Sequence, residues 1–258
     1  MQKLPLVSVI INCHNGEKYL KESILSVIKQ TYKNWEIIFW NNKSSDKSEK
    51  IVKSFKDKRI KYFKSNKFQK LYRTRNLAIK KSKGKYICFI DTDDLWNKNK
   101  LAAQINLFRK KKCKIVYSNF YIKNENMRKS YLSYNRSLPE GDITQDLLDN
   151  YCIGILTIMI DKSIFKSNKF NDRYNVIGDF DLFLKLSIRH RIYAIQKPLA
   201  TFRVHSRNFS SRNLGLYLEE LQSWFKKNRF KLYNDFNLKQ VKVNILKLKT
   251  KKIIKTLF

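Results

Sequence analysis

The chain of 258 residues carries 55 Lys and Arg against 21 Asp and Glu, a formal net charge of +34, yet 43% of it is hydrophobic and 14% is aromatic. So much apolar material excludes a disordered basic protein and predicts a globular one, of a length that fits one compact unit. The charge indicates an anionic partner, and anionic lipid, nucleic acid and phosphorylated substrates all fit it.

In chain order, short apolar runs alternate with segments of helical spacing through the first half of the chain. Five runs rich in β-branched and aromatic residues predict strands at 6–11, 35–40, 60–63, 86–90 and 114–122. The segments between them predict helices, of which the third, 71–82, is expected to end at Gly84. This alternation favours an α/β fold with a mostly parallel sheet covered by helices on both faces.

Beyond residue 122 the alternation loosens. The pattern predicts a strand at 157–160, a helix at 180–188, an extended segment at 192–204 and helices from Leu214 onward. The longest uncharged apolar stretch, 151–160, is too short to span a bilayer, and the N-terminal apolar run lacks the features of a signal peptide. We therefore expect a cytoplasmic protein whose four scattered cysteines are free thiols.

Acidic residues are concentrated at the end of the fourth predicted strand, in the sequence YICFIDTDDLW. Asp91, Asp93 and Asp94 fall within four positions of a chain that is poor in acids. In a parallel sheet, ligands bind at the carboxyl ends of the strands, where these residues are expected. A D-x-D pair on a turn offers the hard oxygen ligands that Mg²⁺ and Mn²⁺ prefer. The same residues could instead form a turn and cap the next helix, and the sequence leaves both interpretations open.

A second acidic pair, Asp179 and Asp181, opens the predicted helix in VIGDFDLFLKL. Residues two apart on a helix point to nearly opposite sides, so only one of the pair is expected to face a shared site. Asp179 follows Gly178 at the start of the helix and is the better placed of the two. Capping of the helix by Asp179 is the alternative to catalysis.

Four segments together resemble glycosyltransferase family 2, the inverting enzymes of the GT-A fold. They are the stretch from VSVIINCHNGEKYL to NNKSSDKS, then RTRNLAIKKSKGKYICFIDTDD, then GDFDLFLKLS, and finally KPLATFRVH. The resemblance implies a Rossmann-like GT-A domain at 1–210, with a nucleotide-sugar half at 1–122 and an acceptor half at 123–210. A basic helical C-terminal extension at 211–258 would follow it.

By this resemblance, the loop after the first strand binds a nucleotide-sugar donor through Asn12, Asn15 and Glu17. The family reads the nucleotide base with an acidic residue after the second strand. This chain has Asn42 there, so the resemblance does not imply a preference for uridine. Arg75 matches the arginine that approaches the donor diphosphate, beside Asp91.

The resemblance also implies a metal cofactor, Mg or Mn. Asp91 and Asp93 match the D-x-D ligands, and Asp94 is the adjacent acid that contacts the metal in some members. His205, in RVH, resembles a histidine that completes the metal shell in some members.

Asp179 matches the general base of the family, although the Glu that precedes it in many members is Gly178 here. The implied reaction is one displacement at the anomeric carbon of the donor sugar, onto a hydroxyl of a glycan or lipid-linked acceptor in cell-surface polysaccharide synthesis. Two rival classes of function are a metal-dependent phosphodiesterase and a non-enzymatic basic module that binds nucleic acid. Because the two groups of acidic residues would repel phosphate, nucleic acid is not the expected partner.

The tail at 236–258 contains seven lysines and no acid. If the tail is helical, Leu238, Val241, Ile245 and Leu248 fall on one face. Such a helix is suited to peripheral contact with the anionic inner face of a membrane, or to docking on the protein itself. The sequence leaves these two alternatives open.

Overall fold

The computed structural model describes residues 4–127, 129–232 and 234–257, without the side chains of 210 and 254–257. The strands are β1 Val7–Cys13, β2 Trp35–Asn41, β3 Ile60–Lys64, β4 Tyr86–Phe89, β5 Leu95–Trp96, β6 Ile115–Asn124, β7 Lys129–Leu132, β8 Met159–Asp161 and β9 Tyr193–Val204. The α-helices are α1 Glu17–Ile28, α2 Ser48–Ser54, α3 Leu71–Lys81, α4 Lys100–Lys111, α5 Thr144–Asp149, α6 Gly178–Ser187, α7 Phe209–Arg212, α8 Leu214–Leu232 and α9 Lys239–Leu257.

One mixed sheet contains these nine strands of the described chain, in the order β3-β2-β1-β4-β8-β6-β9-β5, with β7 paired to β6. The strands β1 to β4 pair in parallel, whereas β8 runs antiparallel to both β4 and β6. The carboxyl ends of β1, β2 and β4 therefore meet at one edge, and the loops that follow them lie together there. The predicted α/β fold with a mostly parallel sheet is confirmed.

Helices cover both faces of the sheet, which explains why β1 and β2 are buried at every position. Along β1, Val9 and Ile11 pack into one hydrophobic cluster, and Ile10 packs into the other. This alternation follows from the two-residue repeat of a strand. Helices α1 and α4 contribute to the first cluster, whereas α3, α6, α8 and α9 contribute to the second.

The two C-terminal helices pack against the same core as the rest of the chain. Leu238, Val241 and Ile245 are 2%, 3% and 9% exposed and belong to the second cluster. The apolar stripe of α9 thus faces the protein, so docking on the protein is the alternative that the structure supports for this face. Within the described ranges, no helix is long and apolar enough to cross a membrane.

The end of α3 differs from the prediction. Ser82, directly after α3, has an extended backbone (φ −68°, ψ 147°), so the helix ends without reaching Gly84. Gly84 lies against β1 instead, where an added Cβ would come within 2.6 Å of Ser8 N. Glycine is required here because two backbone segments approach closely, and not because a helix ends.

Candidate active site

A buried ion pair lies at the carboxyl end of β4. Arg75 on α3 donates to Asp91 Oδ1 over 2.6 Å, and its side chain is 3% exposed against 34% for Asp91. Burial by itself lowers the pKa of Arg75, but Asp91, Tyr72 and Asp179 together outweigh this effect and raise the pKa. The structure therefore holds a permanent cation beside Asp91.

Asp93 contacts the segment that follows β9. Its Oδ2 lies 3.0 Å from His205 Nε2 and 3.3 Å from Asn208 Nδ2. Because His205 Nδ1 accepts a bond from Arg207 N over 3.1 Å, the proton of the neutral ring lies on Nε2 and is donated to Asp93. Burial and then the charge of Asp91 raise the pKa of Asp93, and His205 partly opposes them. The structure thus brings Asp93 and His205 together.

The donor set around Asp91 and Asp93 fits a hard divalent cation. Both carboxylates are partly accessible, with 34% and 24% of their side chains exposed, and carboxylate oxygens are the ligands that Mg²⁺ and Mn²⁺ prefer. Among the described residues, no group of three or more His, Cys, Asp and Glu side chains is arranged to hold a metal. His205 would first have to lose its bond from Arg207 N. Such a site suits a metal that takes its remaining ligands from substrate phosphates.

Asp94 has different surroundings from the other two acids. Its side chain is 0% exposed, and its Oδ1 accepts a bond from Arg203 N over 3.2 Å. Burial, followed by the charges of Asp93 and Asp91, raises its pKa well above the usual range. This position in the interior does not match the expected role of Asp94 as a metal ligand, because the carboxylate joins the turn after β4 to β9.

Asp179, at the start of α6, lines a cavity of about 470 Å³. Its Oδ1 lies 3.2 Å from the hydroxyl of Tyr72, which also lies 2.9 Å from the carbonyl of Val176. Burial raises the pKa of Asp179, and the charge of Arg75 opposes this rise. Arg75 therefore acts on Asp179 as well as on Asp91.

Asp181 faces away from that cavity. It is 2% exposed, with Trp224 Nε1 donating to Oδ1 over 3.1 Å and Lys185 Nζ donating to Oδ2 over 2.6 Å. Trp224 belongs to α8, so Asp181 attaches α6 to the C-terminal helices. The two acids have separate surroundings, as helical geometry predicts.

The glycine before Asp179 has a steric explanation. A Cβ added at Gly178 would lie 2.5 Å from two ring carbons of Tyr72. Contacts this short do not occur in a packed interior, so the ring of Tyr72 occupies the space that a Glu would need. The departure from the Glu-Asp pattern is thus linked to Tyr72, which itself contacts Asp179.

Sequence reasoning did not find Glu220, which holds the segment before Asp179. This side chain on α8 is 7% exposed and accepts hydrogen bonds from Asn175 N at 2.6 Å, Val176 N at 2.9 Å and Ile177 N at 3.1 Å. Three amides on one carboxylate fix the approach to α6. A Glu within a helix looks like a surface residue in sequence, so no local signal could have identified it.

Glu220→Gln is expected to lower the free energy of unfolding by about 2 to 4 kcal/mol, because the three amides would lose a charged acceptor and one of them would face an NH₂ donor. Urea unfolding followed by circular dichroism measures this change. Glu219→Gln is the matched control, since Glu219 is the exposed neighbour. Equal effects of the two variants would show that Glu220 does not hold the loop.

The end of β1 carries an amide group without a partner. Asn12 is 9% exposed, and neither its Oδ1 nor its Nδ2 has a hydrogen-bond partner in the described part of the chain. Buried amides are nearly always paired, so both polar atoms of this one are free to bond a ligand or water. Asn12 is the predicted donor-binding residue that the structure leaves most available.

Asn15 and Glu17 connect two loops. Asn15 (φ 55°) donates from its backbone N to Ser44 Oγ over 3.0 Å, and its Oδ1 accepts from Ser45 N over 2.8 Å. Glu17 Oε2 accepts from Lys47 N over 2.9 Å. These bonds join the loop after β1 to the loop after β2, so the two side chains shape the edge of the sheet where a donor would bind.

Asn42 holds the segment that leads into α3. Its Nδ2 donates to Gln69 O over 2.7 Å, its Oδ1 accepts from Gln69 N over 3.0 Å, and the side chain is 5% exposed. Both polar atoms of the Asn42 side chain are thus bonded to the backbone of Gln69. Recognition of a nucleotide base by Asn42 stays a prediction.

The mixed sheet, with carboxylates after β4 and Arg75 of α3 beside them, has the fold of the GT-A class. Staphylococcus aureus TarS 1–349 in complex with UDP superposes with a TM-score of 0.65 at 22% identity, over 83% of this chain and 65% of that one. Mannosyltransferase PcManGT from Pyrobaculum calidifontis, in complex with GDP-Man and Mn²⁺, gives 0.66 at 13% identity, over 88% and 65%. The chain spans about two thirds of both neighbours, and the likeness shows the GT-A fold.

The sequence identifies the family within this class. The family model described as "Glycosyl transferase family 2" matches residues 8–186. WfgD of Escherichia coli, a "UDP-Glc:alpha-D-GlcNAc-diphosphoundecaprenol beta-1,3-glucosyltransferase", is 34% identical over 74% of this chain and 73% of that protein. The "putative teichuronic acid biosynthesis glycosyltransferase TuaG" of Bacillus subtilis is 28% identical over 86% of each. The chain belongs to glycosyltransferase family 2, which confirms the resemblance.

Proposed function

We propose that this chain transfers a sugar from a nucleotide-sugar donor to a hydroxyl of a lipid-linked or glycan acceptor in cell-surface polysaccharide synthesis, with inversion at the anomeric carbon. The observation that carries the proposal is the position of Arg75. It pairs with Asp91 over 2.6 Å, and its charge also acts on Asp179, which lines the cavity. The buried cation Arg75 thus acts on two carboxylates, Asp91 on the proposed donor side and Asp179 on the proposed acceptor side.

On the donor side, the unpaired amide of Asn12 is available to the nucleoside. Arg75 is held rigidly and stays charged, so it stabilises the negative charge that develops on the departing diphosphate. Asp91 and Asp93 would hold Mg²⁺ or Mn²⁺, which neutralises part of the same charge when bound. The names of WfgD and of the TarS complex, which specify UDP-Glc and UDP, support a nucleotide-sugar donor.

On the acceptor side, Asp179 takes the proton from the acceptor hydroxyl as its oxygen attacks the anomeric carbon. Attack from the face opposite the diphosphate inverts the configuration of the sugar. The apolar walls of the cavity, which include Tyr151 and Phe180, exclude water that would otherwise attack the donor.

The proposal includes peripheral contact with an anionic membrane, through electrostatic attraction between exposed lysines and the lipid headgroups. The apolar stripe of α9 is buried, whereas Lys249 and Lys251 on the same helix are exposed. Such contact would weaken as salt screens the lysines.

The proposed activity is tested by incubating the full chain with a panel of nucleotide-sugars and Mg²⁺ or Mn²⁺. Release of free nucleoside diphosphate would identify the donor, and product analysis with a GlcNAc-diphospholipid would identify transfer. Failure to release nucleoside diphosphate from every nucleotide-sugar, with and without acceptor, would contradict the proposal.

Tyr72→Phe is expected to move the acid limb of the kcat profile to higher pH, by about one unit or less. Burial already raises the pKa of Asp179, and the hydroxyl of Tyr72, 3.2 Å away, stabilises the ionised form. The base acts when deprotonated, so activity is lost as pH falls through this pKa, and removing the hydroxyl makes the loss begin at higher pH. Tyr217→Phe, in the same cavity, is the control and should leave the limb in place. An unmoved limb in Tyr72→Phe would show that Asp179 is not the titrating base.

A further inference from the structure

The cavity beside Asp179 is closed by a part of the chain that the family model does not match. The match to the family model ends at residue 186. Beyond it, the cavity is lined by Tyr217 and Leu221 of α8 and by Val241, Asn244, Lys247 and Leu248 of α9. The C-terminal helices therefore form one of its walls. Their position is fixed, because Asn237 N donates to Gln145 Oε1 over 2.8 Å and Gln145 Nε2 donates to Asn237 O over 3.0 Å.

The walls are mostly apolar. Leu147 and Leu148 of α5 and Phe180 of α6 face the cavity together with Val241 and Leu248 of α9. The cavity volume of about 470 Å³ is much larger than the space that one sugar hydroxyl occupies beside Asp179. A ligand that fills this space would have an apolar portion.

Two polar groups in the same walls have no partner among the residues that the structure describes. The hydroxyl of Tyr151 is buried with no hydrogen-bond partner in the described chain, which is unfavourable unless a ligand supplies the bond. Lys247 is exposed at the cavity and makes no hydrogen bond or ion pair with the described residues. A ligand here would have a hydroxyl or phosphate oxygen near Tyr151 and an anionic group near Lys247.

We propose that α9 completes the acceptor site and that Lys247 binds the phosphate of a polyprenyl-diphosphate-linked sugar, whose first apolar units lie against Leu248 and Val241. This inference rests on the proposed function. Apolar walls combined with one cation and an unpaired hydroxyl match a ligand that carries lipid, phosphate and sugar hydroxyls together. Neither a neutral glycan nor a free phosphate ion would use all three.

The test is calorimetry of the full chain with geranyl diphosphate, in the presence of excess UDP and Mg²⁺ so that the Arg75 side is already occupied. The unsubstituted protein is expected to bind geranyl diphosphate at least about tenfold more tightly than inorganic diphosphate, because only the former contacts the apolar walls. Lys247→Glu is expected to weaken binding of geranyl diphosphate by about tenfold or more, since an attractive charge becomes a repulsive one.

Lys249→Glu is the matched control, because it makes the same charge change on an exposed position of α9 that does not line the cavity. The affinity of the Lys249→Glu variant for geranyl diphosphate is expected to stay within about twofold of that of the unsubstituted protein. Thermal melting checks that both variants are folded. Equal weakening by the two substitutions would show a general charge effect and overturn the proposal, as would equal binding of geranyl diphosphate and inorganic diphosphate.

Failure of the proposed acceptor site can be distinguished from failure of the proposed function. Release of nucleoside diphosphate from a nucleotide-sugar by the unsubstituted protein reports the donor chemistry and requires no lipid. A protein that releases nucleoside diphosphate but shows no effect specific to Lys247 would retain the proposed function and lose this acceptor site.

Discussion

Asp179→Asn is expected to lower kcat for sugar transfer by about 10² to 10⁴-fold, the contribution that a positioned general base makes. Asn has nearly the same shape and can still accept a bond from Tyr72, but it cannot take a proton from the acceptor hydroxyl. Donor affinity should change little, because Arg75 keeps its 2.6 Å bond to Asp91. Steady-state transfer and calorimetry with the donor measure the two quantities separately.

Asp181→Asn is the matched control for this experiment. Asp181 contacts Trp224 and Lys185 and does not line the cavity, so its substitution should lower stability more than it lowers kcat. A folded Asp181→Asn protein without activity, beside an active Asp179→Asn protein, would show that the base is assigned to the wrong carboxylate.

Asp93→Asn is expected to reduce transfer by at least about 10²-fold and to weaken Mn²⁺ binding in the presence of nucleoside diphosphate. The amide keeps the size of the side chain but removes the charge that a divalent cation needs. The unsubstituted enzyme should lose activity in excess chelator and regain it on addition of Mg²⁺ or Mn²⁺. Full turnover in chelator would exclude the metal requirement.

Asp94→Asn tests whether Asp94 is a metal ligand or a structural residue. Asp94 is 0% exposed and bonds to the backbone of Arg203, so the variant should keep the metal requirement and most of the activity. Loss of Mn²⁺ binding in a folded Asp94→Asn protein, equal to that in Asp93→Asn, would place Asp94 among the ligands.

The local elements and the chemical type of the site could be predicted from the amino-acid sequence alone. The strand expected at 86–90 is β4 at Tyr86–Phe89, and the acids that follow it lie at the carboxyl end of a parallel strand. Such predictions succeed because side-chain periodicity is a property of a few neighbouring residues. The separation of Asp179 from Asp181 could be predicted for the same reason, since helix geometry decides which way each one points.

The partner that each of these residues contacts depends on how distant segments of the chain pack together. The insertion of β8 between β4 and β6, the burial of Asp94 under β9 and the bonds from the amides of residues 175–177 to Glu220 join segments that are far apart in the chain. The apolar stripe of α9 was visible in the sequence, but whether it faces a membrane or the core depends on the surface that the other helices present. A local pattern specifies a face and its period, whereas the partner of that face is set by packing across the whole chain.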